Sequence, residues 1–249
     1  MASSDPATRP GRASRVTKKR LVHPVSVVAS NLDTAFWRGL PHPWRRCFIL
    51  AWQSRLAGSV PVGAVLVDRH GEVVAEGRNR FAEQGAPAGQ LAGTALGHAE
   101  LNALAQLAPG SYEQHVLYTS LEPCLLCTAA LTHTHVGQVR FAAADPLWRG
   151  LQRLPELNEH VARRWAVRTG PLSGPLAVWG QLLPLLWVLD HSPTGVVVTA
   201  HQRHARPVLD LARRLQQDAP PALASASLDE ALDALWPHLV AAAEGSPAE

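Results

Sequence analysis

Two short motifs, His98-Ala99-Glu100 and Cys124-Leu125-Leu126-Cys127, combine residue types that bind and use a metal ion. Both lie where a helix is predicted to begin, and Pro123 suits a first helical turn, whose N–H groups have no partner within the helix. Residues three apart on a helix share one face, so Cys124 and Cys127 are expected about 5–6 Å apart, a separation that one zinc ion can bridge. The positive end of the helix dipole also favours the thiolate, the form that binds metal.

His98 and the two cysteines provide three ligands of a tetrahedral zinc site. The fourth position is left for water, which is typical of a catalytic zinc. Activated water alone does not expel an aromatic amine, because the ring nitrogen and the departing amine must also be protonated. Glu100 lies two residues after His98 and can face the site without binding the metal. The motifs therefore predict a zinc-dependent hydrolytic reaction in which Glu100 moves the protons.

Other interpretations of these residues have less support. Redox C-x-x-C motifs are not accompanied by an upstream His-x-Glu. A structural zinc would need a fourth protein ligand, and His133 and His135 follow toward the far end of the helix, where surface or capping roles are commoner. Cys47 lies in the apolar pattern of a predicted helix, which favours a buried free thiol.

Alternating helices and strands are predicted to position the motifs. The patterns predict strands over 60–68, 72–76, 116–120 and 138–142, with a further strand within 161–167. Helices are predicted over 42–57, 98–108, 124–132 and 172–189, the last one kinked at Pro184. Strands that alternate with short helices imply crossover connections and a sheet covered by helices on both faces.

Charge is distributed unevenly along the chain, with an excess of basic residues at the N-terminus. The first 20 residues hold six basic residues and one acidic residue, a charge of +5, so the formal net charge of +3 leaves about −2 for residues 21–249. We predict a disordered basic arm over 1–30, a domain that carries the chemistry over 31–190, and a mostly helical extension of unknown role over 191–249. The arm lacks the apolar centre of a secretory signal, and the apolar run at 182–189 is too short to span a bilayer. We therefore expect a cytoplasmic protein without a membrane role.

Five segments together resemble the cytidine/deoxycytidylate-type zinc-dependent deaminases, and among them the bacterial tRNA adenosine deaminases and the related nucleoside and guanine deaminases. The segments are PVGAVLV at 61–67, GRN at 77–79, HAE at 98–100, YTSLEPCLLC at 118–127 and VGQVRFAAADP at 136–146. His-x-Glu followed by Pro-Cys-x-x-Cys is also the known signature of zinc nucleobase deaminases.

The resemblance implies a three-layer α/β/α fold with a five-stranded mixed sheet, a bound Zn²⁺ and a homodimer. It also implies that Asn79 hydrogen-bonds the base or its ribose, and that the backbone N–H of Ala99 contacts the ring edge. From its position after a strand, Asn79 is also a candidate turn residue, but we favour the substrate role.

The leading hypothesis is an enzyme that releases ammonia from a small nucleobase, nucleoside or nucleotide of the adenine, guanine or cytosine type. The loop between Asn79 and His98 is longer than in the tRNA deaminases, which weakens the likeness to them. A first alternative is adenosine-to-inosine deamination in tRNA, with the basic arm contacting phosphates. An alternative of another class is a retired deaminase fold that binds a partner through its extension, although an intact Glu100 argues against it.

Overall fold

A five-stranded mixed sheet forms the centre of the computed structural model, which describes residues 35–224 and 227–245. The predicted arm over 1–30 lies outside the described residues. The strand order is β2-β1-β3-β4-β5, in which β1 runs antiparallel to β2 and β3, whereas β3, β4 and β5 are parallel. The strands are β1 (Gly63–Val67), β2 (Val73–Arg78), β3 (Val116–Thr119), β4 (Gln138–Phe141) and β5 (Val167–Thr169).

Helices precede, connect and follow the strands. The helices of the first part of the chain are α1 (Ala35–Arg38), α2 (His42–Leu56), α3 (Ala99–Leu104), α4 (Leu125–Thr134) and α5 (Glu159–Arg163). After the last strand come α6 (Pro175–His191), α7 (Val196–His204), α8 (Arg206–Asp218), α9 (Pro221–Ala224) and α10 (Leu228–Glu244). Within the described ranges, no helix combines the length and the hydropathy that crossing a membrane requires.

The central strand β1 is apolar throughout because helices cover both of its faces. All five of its residues are buried. Ala64 and Leu66 pack in one hydrophobic cluster with α3 and α4, whereas Val65 and Val67 pack in another with α2. The predicted three-layer α/β/α arrangement is therefore confirmed. Cys47 of α2 is a buried free thiol, as its apolar surroundings in the sequence predicted.

The segment 161–167, predicted to add a strand, is mostly helix and turn. The side-chain oxygen of Asn158 accepts hydrogen bonds from the backbone N–H groups of His160 and Val161 and so begins α5. This local cap outweighs the β propensity of the sequence that follows. The edge strand β5 begins only at Val167 and has three residues.

The C-terminal helices pack on the same hydrophobic cluster as α2 and α6. This cluster joins Trp44 and Phe48 of α2 to apolar residues of α6, α8 and α10. Trp37 of α1 lies in the cluster and donates a hydrogen bond from Nε1 to Asp229 of α10 at 2.7 Å. The extension is helical, as predicted, and the proposed division at residue 190 stays a prediction.

Candidate active site

The first turns of α3 and α4 bring His98, Cys124 and Cys127 together. His98 and Cys124 are the N-cap residues of these helices and have extended backbone conformations, and Cys127 lies in the first turn of α4. The two sulfurs lie 3.6 Å apart, and His98 Nδ1 lies 3.6 Å from Cys124 Sγ and 3.4 Å from Cys127 Sγ. The sulfurs are closer than the predicted 5–6 Å because Cys124 precedes the helix and its side chain turns toward the site.

These distances fit a zinc ion. Zn–S bonds of about 2.3 Å and Zn–N bonds of about 2.0–2.1 Å at tetrahedral angles place two sulfurs about 3.8 Å apart, and a sulfur and a nitrogen about 3.5 Å apart. The three observed separations lie within about 0.2 Å of these values. Two sulfurs and one imidazole nitrogen are also ligands that zinc prefers in proteins.

The protonation of the two thiols differs. Hydrogen bonding with Cys127 lowers the pKa of Cys124 to about 4, with a further contribution from His98. The same interaction, together with burial, raises the pKa of Cys127 well above its usual value. A hydrogen bond with Cys124 in turn raises the pKa of His98. Because zinc binds cysteine as the thiolate, metal binding at this cluster is coupled to the release of thiol protons.

Glu100 lies beside the ligand cluster, between Thr119 and Cys127. Its side chain is buried, Oε1 accepts a hydrogen bond from Thr119 Oγ1 at 3.2 Å, and Oε2 lies 3.3 Å from Cys127 Sγ. Burial raises its pKa, and the negative charge of Cys124 adds to this effect. A carboxyl with a raised pKa next to a metal cluster is suited to take up and release a proton.

A cavity of about 410 Å³ opens from the cluster and is lined by the predicted substrate contacts. His98, Glu100 and Cys124 lie in its wall together with Asn79 and Ala99. Its volume is within the range of small-molecule sites. Asn79 Oδ1 also accepts the N–H of Phe81 at 2.9 Å, so the residue forms the turn that its position after β2 suggested. The substrate-binding roles of Asn79 and Ala99 stay predictions.

His133 and His135 do not belong to the ligand cluster. The group of metal-binding residue types found in the described chain consists of His98, Cys124 and Cys127. His135 is the C-cap of α4, in a left-handed conformation, and its Nδ1 lies 2.8 Å from Ser111 Oγ. The prediction that a histidine caps the C-terminal end of this helix is confirmed for His135.

Sequence reasoning missed three polar residues of the cavity: Asp145, Gln181 and His201. Burial raises the pKa of Asp145 to about 6. Its position shortly after strand β4, directly before Pro146, is a signal that could have indicated a site residue. Gln181 and His201 lie on α6 and α7, and nothing in their local sequence distinguishes them.

Comparison with known proteins places this geometry in a family. Residues 44–143 match the cytidine and deoxycytidylate deaminase zinc-binding region. The chain is similar to the tRNA-specific adenosine deaminase of Aquifex aeolicus, with 30% identity over 42% of this chain and 70% of that protein. It is also similar to the tRNA(Ile)-lysidine synthase of Deinococcus radiodurans, with 33% identity over 51% of this chain and 22% of that protein. A solved structure of guanine deaminase from Bacillus subtilis shares 31% identity over 43% of this chain and 66% of that chain, with a TM-score of 0.35.

The chain spans about half the length of several other curated tRNA-specific adenosine deaminases that it matches, between 52% and 58% of each. The matched family region contains all three residues of the ligand cluster as well as Glu100. With this region matched, His98, Cys124 and Cys127 close together and 70% of the Aquifex enzyme covered at 30% identity, the chain belongs to the cytidine and deoxycytidylate deaminase family.

Proposed function

We propose that this chain is a zinc-dependent hydrolytic deaminase that removes an exocyclic amine from a nucleobase, nucleoside or nucleotide and releases ammonia. The position of Glu100 carries the proposal, because its buried carboxyl lies 3.3 Å from one metal ligand and lines the same cavity as the other two. His98, Cys124 and Cys127 would hold the zinc ion, which would supply Lewis-acid activation of a water molecule. A purely structural metal site does not require a buried carboxyl group such as that of Glu100 beside its ligands.

Glu100 performs the proton transfers. Its carboxylate accepts a proton from the attacking water and delivers it to the ring nitrogen. It then takes the remaining proton of the added hydroxyl group and delivers it to the amine, so that the carbonyl forms as the C–N bond breaks and ammonia leaves. The hydrogen bond from Thr119 fixes one carboxyl oxygen, so the other is directed toward the ligand cluster. Asn79 and the Ala99 N–H orient the heterocycle. Apolar walls formed by residues such as Val62 and Leu185 exclude bulk water.

Adenosine deamination in tRNA is the second candidate. The likeness to tRNA-specific adenosine deaminases of Aquifex aeolicus and Haemophilus influenzae, at 30% and 34% identity, favours it. The charge of about −2 over residues 21–249 favours a small substrate instead, because polynucleotide binding relies on cationic contacts to phosphates. A homodimer in the cytoplasm is a further part of the proposal.

The experiment is an ammonia-release assay on the purified full-length protein with a measured zinc content. The panel consists of adenine, guanine and cytosine, their nucleosides and 5′-monophosphates, and tRNA. We expect ammonia from at least one small substrate, and a loss of at least about 100-fold for Glu100→Gln with zinc retained, as removal of a general acid–base requires. Glu72→Gln, at an exposed glutamate, is the matched control and should keep the parent activity.

Three results would decide between the two candidate functions or test the role of Glu100. Deamination of tRNA without turnover of any small substrate would establish the second candidate. Zinc binding without ammonia from any member of the panel would overturn both and favour a retired, partner-binding fold. A Glu100→Gln variant that turns over like the parent would refute the role of Glu100.

A further inference from the structure

The C-terminal helices complete the wall of the cavity. Residues of α6 and α7 line it: Gln181, Pro184, Leu185, Trp187, Val188, Val197 and His201. All of them lie beyond residue 143, where the matched family region ends. The part of the cavity that the family region does not supply therefore comes from helices α6 and α7, together with Asp145, Leu147 and Trp148.

His201 presents a hydrogen-bond acceptor without a partner. Its side chain is 4% exposed, and Nδ1 lies 2.9 Å from the carbonyl oxygen of Val197. A carbonyl only accepts, so Nδ1 carries the proton and Nε2 has the lone pair. Nε2 has no hydrogen-bond partner among the residues that the structure describes. Burial lowers the pKa of His201, which keeps the imidazole neutral and Nε2 an acceptor.

Gln181, which lines the same cavity, carries a second acceptor without a partner. Its Nε2 donates to the carbonyl oxygen of Ala144 at 2.9 Å, which fixes the orientation of the amide. Its Oε1 is buried and, within residues 35–224 and 227–245, has no hydrogen-bond partner. Buried polar atoms are nearly always satisfied, because an unmet acceptor loses its hydration without compensation. Both residues line the cavity, and two unmet acceptors on residues of one cavity wall indicate a ligand that donates to them.

The charge of the cavity determines what kind of donor fits. Among the described residues that line it, three are carboxylic acids, Glu100, Glu122 and Asp145, and none is lysine or arginine. Glu122 is paired with Arg168 at 2.9 Å, which leaves Glu100 and Asp145 without a cation in this wall. The two cysteine thiolates would balance the charge of a zinc ion at the ligand cluster. A phosphate group here would therefore meet the remaining carboxylates and hydrogen-bond acceptors, and both repel it.

We infer that His201 and Gln181 form an acceptor subsite through which this chain selects an uncharged nucleobase or nucleoside that bears a hydrogen-bond donor, in preference to a nucleotide. This specificity rests on the proposed deaminase function. The donor is a ring N–H, an amino group or a sugar hydroxyl, all of which offer the same chemistry to Nε2 and Oε1. The C-terminal helices thus contribute substrate selection to a site whose reacting groups come from the family region.

The test measures equilibrium binding in a background that does not turn over. The zinc-loaded Glu100→Gln protein is titrated calorimetrically with guanine, guanosine and GMP, and with the adenine and cytosine counterparts, whether or not ammonia is released from each. We expect His201→Phe and Gln181→Leu each to weaken binding of a preferred base or nucleoside about three- to tenfold, as expected for the loss of one hydrogen bond. We expect the monophosphate to bind at least about tenfold more weakly than its nucleoside.

Matched controls separate this effect from a change in the helices. His204→Phe makes the same substitution at an exposed position of α7, and Gln217→Leu does so on α8. Both controls should bind within about twofold of the parent. His201→Gln, which offers an amide oxygen as acceptor, should recover part of the loss. In the active protein, His201→Phe should raise KM with little change in kcat.

The outcomes distinguish the subsite from the proposed function. A loss shared by a base and its nucleoside places the donor on the ring, whereas a loss confined to the nucleoside places it on the sugar, and both support the subsite. Unchanged affinity in both His201→Phe and Gln181→Leu overturns it even if the parent releases ammonia. Tighter binding of monophosphates than of nucleosides overturns the preference for uncharged substrates. Absence of ammonia overturns the proposed function alone, because binding is measured separately.

Discussion

A methyl group at Gly77 should displace the helix that carries His98 and Glu100. Gly77 lies in β2, opposite Ala64 of β1, and a Cβ atom there would lie 2.3 Å from the Ala99 carbonyl oxygen and 2.5 Å from the Ala103 nitrogen. Since Cβ atoms essentially never approach other heavy atoms within 3.0 Å, the difference between 3.0 and 2.3 Å requires α3 to move by at least 0.7 Å. The clash involves helix backbone, which cannot yield as a flexible side chain does.

Overpacking of this kind costs about 1–3 kcal/mol, and contact with helix backbone puts Gly77→Ala near 3 kcal/mol. With a denaturant slope of about 2–3 kcal/mol per molar urea, the unfolding midpoint should fall by about 1 M. A shift of 0.7 Å at the start of α3 also misplaces Glu100, so the remaining folded protein should lose at least about tenfold in ammonia release.

Urea unfolding, followed by tryptophan fluorescence and paired with zinc content and the ammonia assay, checks this prediction. Gly85→Ala is the matched control, because a methyl group at Gly85 meets no atom of the described chain within 4 Å. The control should unfold within about 0.5 kcal/mol of the parent. A Gly77→Ala midpoint equal to that of Gly85→Ala would refute the close packing of β2 against α3.

Two further substitutions test buried polar groups. Arg168→Leu should lower the free energy of unfolding in urea by about 3–5 kcal/mol, because the side chains of Arg168 and Glu122 are only 10% and 15% exposed and the carboxylate would lose its cation. Adding Glu122→Gln should restore part of this loss. No recovery in the double variant would contradict the pairing. Because burial lowers the pKa of His201, its neutral form contributes stability above the unfolded pKa of about 6.5 that is lost as the pH falls. The free energy of unfolding of His201→Gln should therefore fall less than that of the parent between pH 7.5 and pH 5.5, whereas His204→Gln should follow the parent.

The part of the site that the sequence predicts is the part built from local geometry. His98, Cys124 and Cys127 lie at helix starts, so their spacing and the flanking Pro123 already restrict where their side chains point. The apolar run at 63–67 likewise determines a strand buried on both faces. The first four strands and the ligand cluster were therefore predictable from the residues, whereas the number of five strands followed from the family resemblance.

The far wall of the cavity was not predictable, because it depends on packing between distant segments. His201 lies more than 70 residues after Cys127 in the chain. The sequence around it does not distinguish it from other polar helical residues, and only the packing of α7 against α6 brings it to the cavity. The short helix α5 was missed for another reason. Its cap at Asn158 provides two hydrogen bonds, and this local gain outweighs the β-branched and aromatic residues that favoured a strand.

The long connection between β2 and α3 is secured at a few fixed points, and Asn102 is the most important. Asn102 is fully buried; its Oδ1 accepts the N–H of Leu91 at 2.6 Å, and its Nδ2 donates to the carbonyl oxygens of Arg78 and Leu91 at 3.0 and 3.1 Å. Between these points, residues 84–89 are exposed. Natural variation in loop length should therefore concentrate at 84–89, where added residues leave the anchors intact, whereas a deletion that shifts Leu91 would separate the connection from the helix that begins at the metal ligand.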